Sequence, residues 1–396
     1  MQAVLILLAL SFVIFASPYI SALIKVPISA TEIILGILLG TLGFLPPNEL
    51  FKDVADIGFY YLMFLAGTEV DLKIFINAKK GVLKNSTLFL GLLYIFSIIA
   101  VYTFGLSELF IVVIPVMSVG ILSILYKEYG KNENWLNLAM LVGVIGEVLS
   151  IALLTLLNAY TKYGLDIKLF VNLGALAGFL IVTTLIFRWL DVLFWWYPNL
   201  KKIIMPQFDK NEKDIRFSIA MLCLVIAVVV ILDIKIIIGA FIAGTFIPTF
   251  FSHKKDLPEK LSSFGYGFLV PIFFAYIGST VNLNALLIPG VVKNVMFLTI
   301  LMIIVRLLSS VVMVKNLGFK QSFLFGISLS IPLTLLIATA TIGHETNYIN
   351  DEIYYALVLT SIFEAIVGIT LIKIIKNIYL NKKWFFNENL GIIYEY

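Results

Sequence analysis

The chain has 396 residues, of which 61% are hydrophobic and only 13% are charged. A soluble domain carries about 25% charged residues, so this chain cannot cover itself with polar side chains, and part of its solvent must be lipid. That excludes a water-soluble enzyme, and a net charge of +4 is too small to hold a nucleic acid. One cysteine, Cys223, inside an apolar run, leaves no disulfide and no cysteine metal site. The N-terminus has neither a positive n-region nor a small-residue cleavage site, so it reads as a first spanning helix rather than a signal peptide.

A span needs about 20 mostly apolar residues. On that criterion the sequence predicts an all-α integral membrane protein of about thirteen transmembrane helices. The first two, 3–24 and 28–46, are separated by Pro27; 53–70 and 83–104 follow. The fifth, 108–126, contains Pro115, Met117, Ser118, Val119 and Gly120, and the sixth, 134–158, carries Glu147 in LVGVIGEVLSIALLTLL. After the seventh, 168–190, comes the longest polar connection, Arg188 to Arg216. It opens with Trp189, Trp195, Trp196 and Tyr197, an aromatic set suited to a membrane interface. The second half runs 215–232, 235–251, 262–281, 291–314 with Arg306 at mid-span, 320–343 with Ser328, Ser330, Pro332 and Thr334, and 353–379 with Glu364. The domain division is then 1–190 for the first half, 191–214 for a cytoplasmic connection, 215–380 for the second half and 381–396 for a short cytoplasmic tail.

The charges support this count. The loops after odd-numbered spans, with the C-terminus, carry 22 lysines and arginines, among them Lys79, Lys80, Lys201, Lys202, Lys254 and Lys382. The opposite side has five: Lys52, Lys162, Lys168, Lys235 and Lys293. The positive-inside rule places the N-terminus outside and the C-terminus in the cytoplasm.

An internal repeat is also visible. Gly67 to Leu72 reads G-T-E-V-D-L and Gly278 to Leu283 reads G-S-T-V-N-L; Ile33 to Gly36 reads I-I-L-G and Ile236 to Gly239 reads I-I-I-G. The halves start on opposite sides of the membrane, so the repeats are inverted, an arrangement that places ion sites near the midplane. Glu147 and Glu364 are separated by a similar offset and become candidates for equivalent positions. Spans five and twelve, each with a mid-span proline among small or hydroxyl residues, are expected to be discontinuous and to cross. Non-helical backbone at that depth must be buried or line a cavity, and the half-helix ends would bring partial charges to the centre.

These residues resemble a known family. GFYYLMFLAGTEVDLKIF, IIIGAFIAGTFI, LSSFGYGFLVPIFFAYIGSTVNL (with Pro271, Phe273 and Phe274) and MSVGILSILYKEYG resemble signature helices of the monovalent cation/proton antiporter-2 family, with Met117 where threonine is usual. The resemblance implies a secondary transporter exchanging sodium or potassium for protons. It also implies that Glu147 takes the place of the ion- and proton-carrying aspartate, that Gly146 stands where a companion polar residue is usual, and that Arg306 stands where lysine is common. It further implies homodimerisation, sliding of one helix bundle against another, no cofactor and, with the charge asymmetry, a bacterial inner membrane.

In the role the resemblance implies, Glu147 would bind a proton or a monovalent cation, never both, with Ser118 and carbonyls freed at the breaks as oxygen ligands. Arginine stays charged in proteins, so a single titratable carboxylate beside Arg306 makes one-for-one, electroneutral exchange the simpler inference. Arg306 pairs with Glu147 or with Glu364, and the bland reading of either pair is helix packing alone. Glu69 and Asp71 read as helix-end or gating charges, and His253 and His344, at ends on opposite faces, cannot form a metal site. The polybasic loop reads as contact with anionic lipid. The alternative function on the same fold is a non-transporting sensor or a partner-gated cation pore, favoured by the absent polar side chain at Gly146.

Overall fold

A computed structural model describes residues 2–24, 26–68, 80–129, 133–163, 167–206, 211–232, 234, 236–251, 254, 256–281 and 290–389. All regular structure among them is helical. In chain order the helices are α1 (Gln2–Ile24), α2 (Ile28–Thr41), α3 (Glu49–Thr68), α4 (Lys80–Phe104), α5 (Phe110–Val113), α6 (Gly120–Tyr129), α7 (Asn134–Tyr163), α8 (Ile167–Trp196), α9 (Pro198–Ile204), α10 (Lys213–Ile231) and α11 (Ile236–Phe250). They continue with α12 (Leu257–Phe264), a π-helical turn (Gly265–Leu269), α13 (Val270–Thr280), α14 (Val291–Ser310), a 3-10 turn (Val311–Met313), α15 (Val314–Leu317), α16 (Phe319–Ser328), α17 (Leu333–Glu345) and α18 (Asp351–Asn389).

Among the described residues eight helices are long and apolar enough to cross a membrane, and the pair α16–α17, bent by 41° at its break, makes a ninth such span. The chain is a multi-pass membrane protein. Helix occupies every apolar stretch expected from the sequence, with several ends displaced. The second stops at Thr41, where Gly43 turns the chain with φ +79°, a conformation glycine adopts without steric cost. The seventh continues to Trp196, because nothing breaks it before Pro198, and α9 makes part of the expected linker helical. The last runs on to Asn389, with no proline or glycine between Gly368 and that residue. Cys223 is exposed on α10, as are Trp189, Trp195, Trp196 and Tyr197 near the end of α8.

The chain forms two compact units. The first comprises Met1–Leu83, Val148–Val291 and Ala340–Tyr355. It is built on close helix crossings that only glycine permits. A Cβ at Gly36 would lie 2.4 Å from the Ala275 carbonyl oxygen, and one at Gly278 2.2 Å from that of Ile33, so α2 and α13 touch backbone to backbone. Gly67 on α3 and Gly244 on α11 make a second such crossing, each 2.1 Å by the same measure from a carbonyl of the other helix. Small residues serve this purpose in membranes because lipid supplies no hydrophobic drive for helix association and packing must replace it. The π turn accommodates Tyr61, which packs under Gly265 and donates its hydroxyl to the Leu261 carbonyl at 3.1 Å. Such turns leave carbonyls without helical partners. At one end of this unit the buried Asp214 receives Lys254 at 3.1 Å and Lys260 at 3.5 Å.

The second unit comprises Lys84–Glu147, Val292–Thr339 and Ala356–Tyr396. It contains both helix breaks and the mid-span charges Glu147, Arg306 and Glu364.

Candidate functional site

The site starts from two prolines. A proline inside a helix removes a donor and collides with the preceding turn. Here α5 ends at Val113 and helix resumes only at Gly120, with Pro115 buried between them. Likewise α16 ends at Ser328 and α17 begins after Pro332. Both discontinuities fall where the sequence places them, and they meet: the hydroxyls of Ser118 and Thr334 hydrogen-bond across at 2.5 Å.

Buried backbone groups released by a break must find partners, and they decide the chemistry. The Val119 amide donates to Glu147 Oε2 at 3.1 Å, and Ser118 Oγ donates to Oε1 at 3.5 Å. The carboxylate thereby caps the start of α6, where a helix favours negative charge. Glu147 itself is fully buried on α7. The Val116 carbonyl accepts Arg306 Nη2 at 2.5 Å, and Nη1 goes to the Met302 carbonyl one turn back on α14, at 3.1 Å. In the second break the Ser330 hydroxyl bonds back to the Gly326 carbonyl at 2.9 Å, so it is occupied with its own helix rather than turned to the carboxylate.

Helix α7 touches both breaks through glycines. A Cβ on Gly143 would approach Leu122 at 2.7 Å and Leu329 at 3.4 Å, and one on Gly146 would stand 2.3 Å from Met117 Sδ. The space beside Glu147 where a larger side chain at position 146 would go is filled by the Met117 thioether. Gly146 therefore allows the close approach of Met117 to α7. Gly120 restarts the helix and has open surroundings, with nothing nearer than 3.9 Å to a Cβ there.

Arg306 is fully buried, and its two bonded nitrogens go to carbonyls rather than to a carboxylate. The acid whose charge bears on it is Glu364. Neither oxygen of Glu364, nor Arg306 Nε, has a hydrogen-bond partner among the described residues. Glu69, Asp71 and His253 lie outside the described residues; His344, in the last turn of α17, contacts Asp351 at 2.7 Å and stacks on Tyr354. Among the described residues there is no cluster of three or more metal-ligating side chains.

Two contributors to the site escape a sequence reading. The Val119 amide carries no residue-type signal, because every non-proline residue has one. Thr334 stood out only as one polar residue in a broken span, yet it follows Ser118 at almost the offset that separates Pro332 from Pro115. A further buried acid, Glu32, lies in the first unit at the start of α2 and accepts Ser17 Oγ at 3.4 Å.

The transmembrane sodium/hydrogen exchanger family matches residues 7–376. The chain belongs to that family. The expected antiporter-2 branch is one division of cation/proton antiporters, and the match stands at the level of the exchanger family. The similarity extends to a putative Na(+)/H(+) antiporter, YjbQ, of Bacillus subtilis, 27% identical over 87% of this chain and 58% of that protein's length. The probable Na(+)/H(+) antiporter 3 of Methanocaldococcus jannaschii is 28% identical over 94% of this chain and 96% of its own. The Na(+)/H(+)-K(+) antiporter GerN of Bacillus cereus is 24% identical over 86% and 88%. The exchanger fold also superposes on the sodium proton antiporter MjNhaP1 from Methanocaldococcus jannaschii, with TM-score 0.66 at 16% identity, over 94% of this chain and 96% of that one.

Proposed function

We propose that this exchanger-family chain is a secondary transporter moving a monovalent cation, sodium or potassium, against protons, and that Glu147 is the group both compete for. The observation that carries the reading is a fully buried carboxylate held by Ser118 and by the Val119 amide where two broken helices meet. Oxygen ligands suit a hard cation. Glu147 and the Ser118 and Thr334 hydroxyls supply them, and the first break supplies a dipole that steadies the carboxylate when the cation has left. A proton on Glu147 removes the charge a cation needs, so one ligand excludes the other without any covalent chemistry. The names of the relatives, which include sodium/proton and sodium/proton-potassium antiporters, support this substrate class.

Arg306 remains positive throughout the cycle. With one exchanging carboxylate, the charge moved inward and outward balances, which favours electroneutral exchange. An outside N-terminus and a cytoplasmic C-terminus rest on the asymmetry of lysines and arginines, and a bacterial inner membrane rests on that asymmetry together with the resemblance. A homodimer in anionic lipid rests on the resemblance and the polybasic connection.

The test is proton flux in proteoliposomes containing a pH-sensitive dye, wild type beside Glu147→Gln, with sodium, potassium and lithium added in turn at clamped voltage. Cation-driven proton movement that the substitution abolishes supports the proposal. Folded wild-type protein that moves no protons with any cation sinks it and leaves the sensor or partner-gated pore. The main argument for that rival, the missing polar group at Gly146, is weakened by the thioether that fills its space.

A further inference from the structure

The two breaks leave the ion site without a continuous helix to set its shape. Residues 114–119 and 329–332 interrupt the helical ladder, so the half-helices beside them must be placed by contacts with other elements. Helix α6 is the clearest case. It has ten residues, Gly120–Tyr129, about 15 Å at the usual rise, and a helix so short is marginal on its own. Its first end follows Ser118 and Val119, which hold Glu147. Its other end, at Tyr129, meets a side-chain cluster to which the exchange proposal gives no role.

There Lys376 of α18 pairs with the Glu133 carboxylate and lies over the Tyr129 ring, 5.1 Å from its centroid. The other oxygen of Glu133 accepts the indole N–H of Trp135 at 2.8 Å, and Trp135 is the bulkiest fully buried side chain among the described residues. Lys376 and Glu133 are only 15% and 29% exposed, so salt screens this pair less than one on an open surface. Tyr129 ends α6, Glu133 directly precedes α7, and Trp135 lies in the first turn of α7. The ammonium thus ties both helices to α18.

From this cluster the contacts run to the ion site and back. Leu122 of α6 packs against Gly143 of α7, where a Cβ would stand 2.7 Å away. Further along, the Val119 amide reaches Glu147 at 3.1 Å and the Ser118 hydroxyl meets that of Thr334 at 2.5 Å. Three residues before Thr334, Ile331 packs on Gly368 of α18, with Cγ1 2.7 Å from a Cβ built there. Gly368 precedes Lys376 by eight residues, about 12 Å along a helix. Helix α18 therefore touches the α6–α7 pair at Lys376 and the second break at Gly368, and the circuit closes where Ser118 meets Thr334. All of these residues lie in the second unit.

We propose that Lys376 is a positioning residue for the exchange: by tying α6 and α7 to α18, it sets the register in which Ser118 and Thr334 meet beside Glu147, and with it the affinity for the cation. The proposal rests on the exchange reading of Glu147. The register has little slack. Ser118 donates to Glu147 at 3.5 Å, the long limit of a hydrogen bond, so a small shift at the start of α6 removes that contact. Lys376 itself touches neither cation nor transported proton, so its loss costs affinity before it costs turnover.

The test separates the apparent cation KM from maximal flux per folded protein, in proteoliposomes at alkaline pH. Lys376→Met is expected to raise KM about tenfold and to leave maximal flux within about twofold of wild type, in the usual range of coupling between sites. Lys376→Arg, which keeps the charge, should stay near wild type. A residue that only stabilised the fold would lower the unfolding midpoint and leave the KM of the folded fraction alone. Should Lys376→Met misfold because Glu133 has lost its counter-charge, Lys376→Met/Glu133→Gln removes both charges, keeps an acceptor for Trp135 and is expected to show the same raised KM. Tyr129→Leu, with both charges in place, should raise KM about threefold, in line with one cation–π contact.

The register is also readable without transport. In a Cys223→Ser background, Ser118→Cys and Thr334→Cys place two thiols where the hydroxyls now touch, and a membrane-permeant oxidant joins them. Adding Lys376→Met should slow that cross-link about tenfold or more, as misplacement of reacting groups does. Raised KM with slowed cross-linking supports the proposal. Wild-type KM in Lys376→Met and in the double variant, or a cross-linking rate that Lys376→Met leaves unchanged, overturns it. Wild-type protein that moves no protons with any cation, yet whose cross-link is slowed by Lys376→Met, refutes the exchange reading and leaves the role of Lys376 in the register standing.

Discussion

Replacing Gly146 by alanine tests the claim that Met117 and Gly146 are a fitted pair on which the Glu147 site depends. The new Cβ would lie 2.3 Å from Met117 Sδ, 3.2 Å from Cγ and 3.3 Å from Cβ. Carbon and sulfur need roughly 3.5–4 Å, so the thioether must retreat by about 1 Å or more. Met117 is fully buried and precedes Ser118 and Val119, the two residues that hold Glu147. Overpacking of this kind costs about 1–3 kcal/mol, and part of the movement should reach the ligands of Glu147. The expected result is a lower thermal unfolding midpoint in detergent and an apparent cation KM raised about tenfold, equivalent to about 1.4 kcal/mol. Met117→Ala alone opens a cavity, worth about 2–5 kcal/mol for a large buried side chain. Combined with Gly146→Ala it removes the collision, so the double variant should be more stable than the sum of the singles by about 1 kcal/mol or more, since contacting residues commonly couple by about 0.5–3 kcal/mol. Additivity within about 0.5 kcal/mol, with KM unchanged in Gly146→Ala, would refute the fitted-pair argument.

The remaining predictions concern the same machinery and its scaffold. Ser118→Ala and Thr334→Val each remove one hydroxyl from the meeting point of the breaks and should weaken cation binding about tenfold, in line with a hydrogen bond to a charged group; unchanged KM in both would take the hydroxyls out of the site. Protons should act as competitive inhibitors, so on the acid side of the Glu147 titration KM rises as pH falls while maximal flux at saturating cation holds, and stopped-flow dye traces at several cation concentrations check the sign. Gly244→Ala drives a methyl group into the Phe64 carbonyl and Gly67 Cα; because backbone cannot rotate aside, it should destabilise more than Gly146→Ala, by about 3 kcal/mol or more. Asp214→Asn leaves Lys254 buried without its counter-charge, a loss of about 3–5 kcal/mol for a buried pair, readable as a drop in unfolding midpoint that Asp214→Asn/Lys254→Met largely restores.

Much of the architecture was legible because the bilayer makes single residues conspicuous. Pro115 and Pro332 inside apolar runs mark the breaks, and Glu147, Arg306 and Glu364 stand out because a charge at that depth costs about 2.5–3.5 kcal/mol even on insertion scales. Helix ends were less legible, since hydropathy records where lipid stops and not where a helix stops. That is why α8 runs on to Trp196 and α18 to Asn389. Glu32 was missed for a related reason: an acid in the second turn of a span looks like an ordinary end charge, and only burial against Ser17 shows otherwise. At Gly146 the sequence shows a missing polar side chain, and packing shows that Met117, from the first break, occupies the space. No local pattern links those two positions.

The repeat explains why one scaffold can carry one site rather than two. The α2–α13 crossing at Gly36 and Gly278 and the α3–α11 crossing at Gly67 and Gly244 correspond helix for helix when α2 is matched to α11 and α3 to α13, with Gly244 rather than Gly239 in the place of Gly36. Packing is thus nearly indifferent to which repeat supplies which helix. The charges are not. Close to the repeat spacing, Arg306 is matched by Tyr94, so a fixed cation on one side corresponds to a neutral phenol on the other. The guanidinium reaches the first break through the Val116 carbonyl, and it is at that break that the carboxylate of Glu147 is held. On the exchange proposed above, the carboxylate needs donors that keep it in place when it is bare, and the first break provides them through the Val119 amide and Ser118. The second break spends its Ser330 hydroxyl on its own helix, and Glu364 has no hydrogen-bond partner among the described residues. Symmetry in the backbone with asymmetry in three side chains therefore leaves the two acids in different surroundings, Glu147 held at the first break and Glu364 without a hydrogen-bond partner among the described residues.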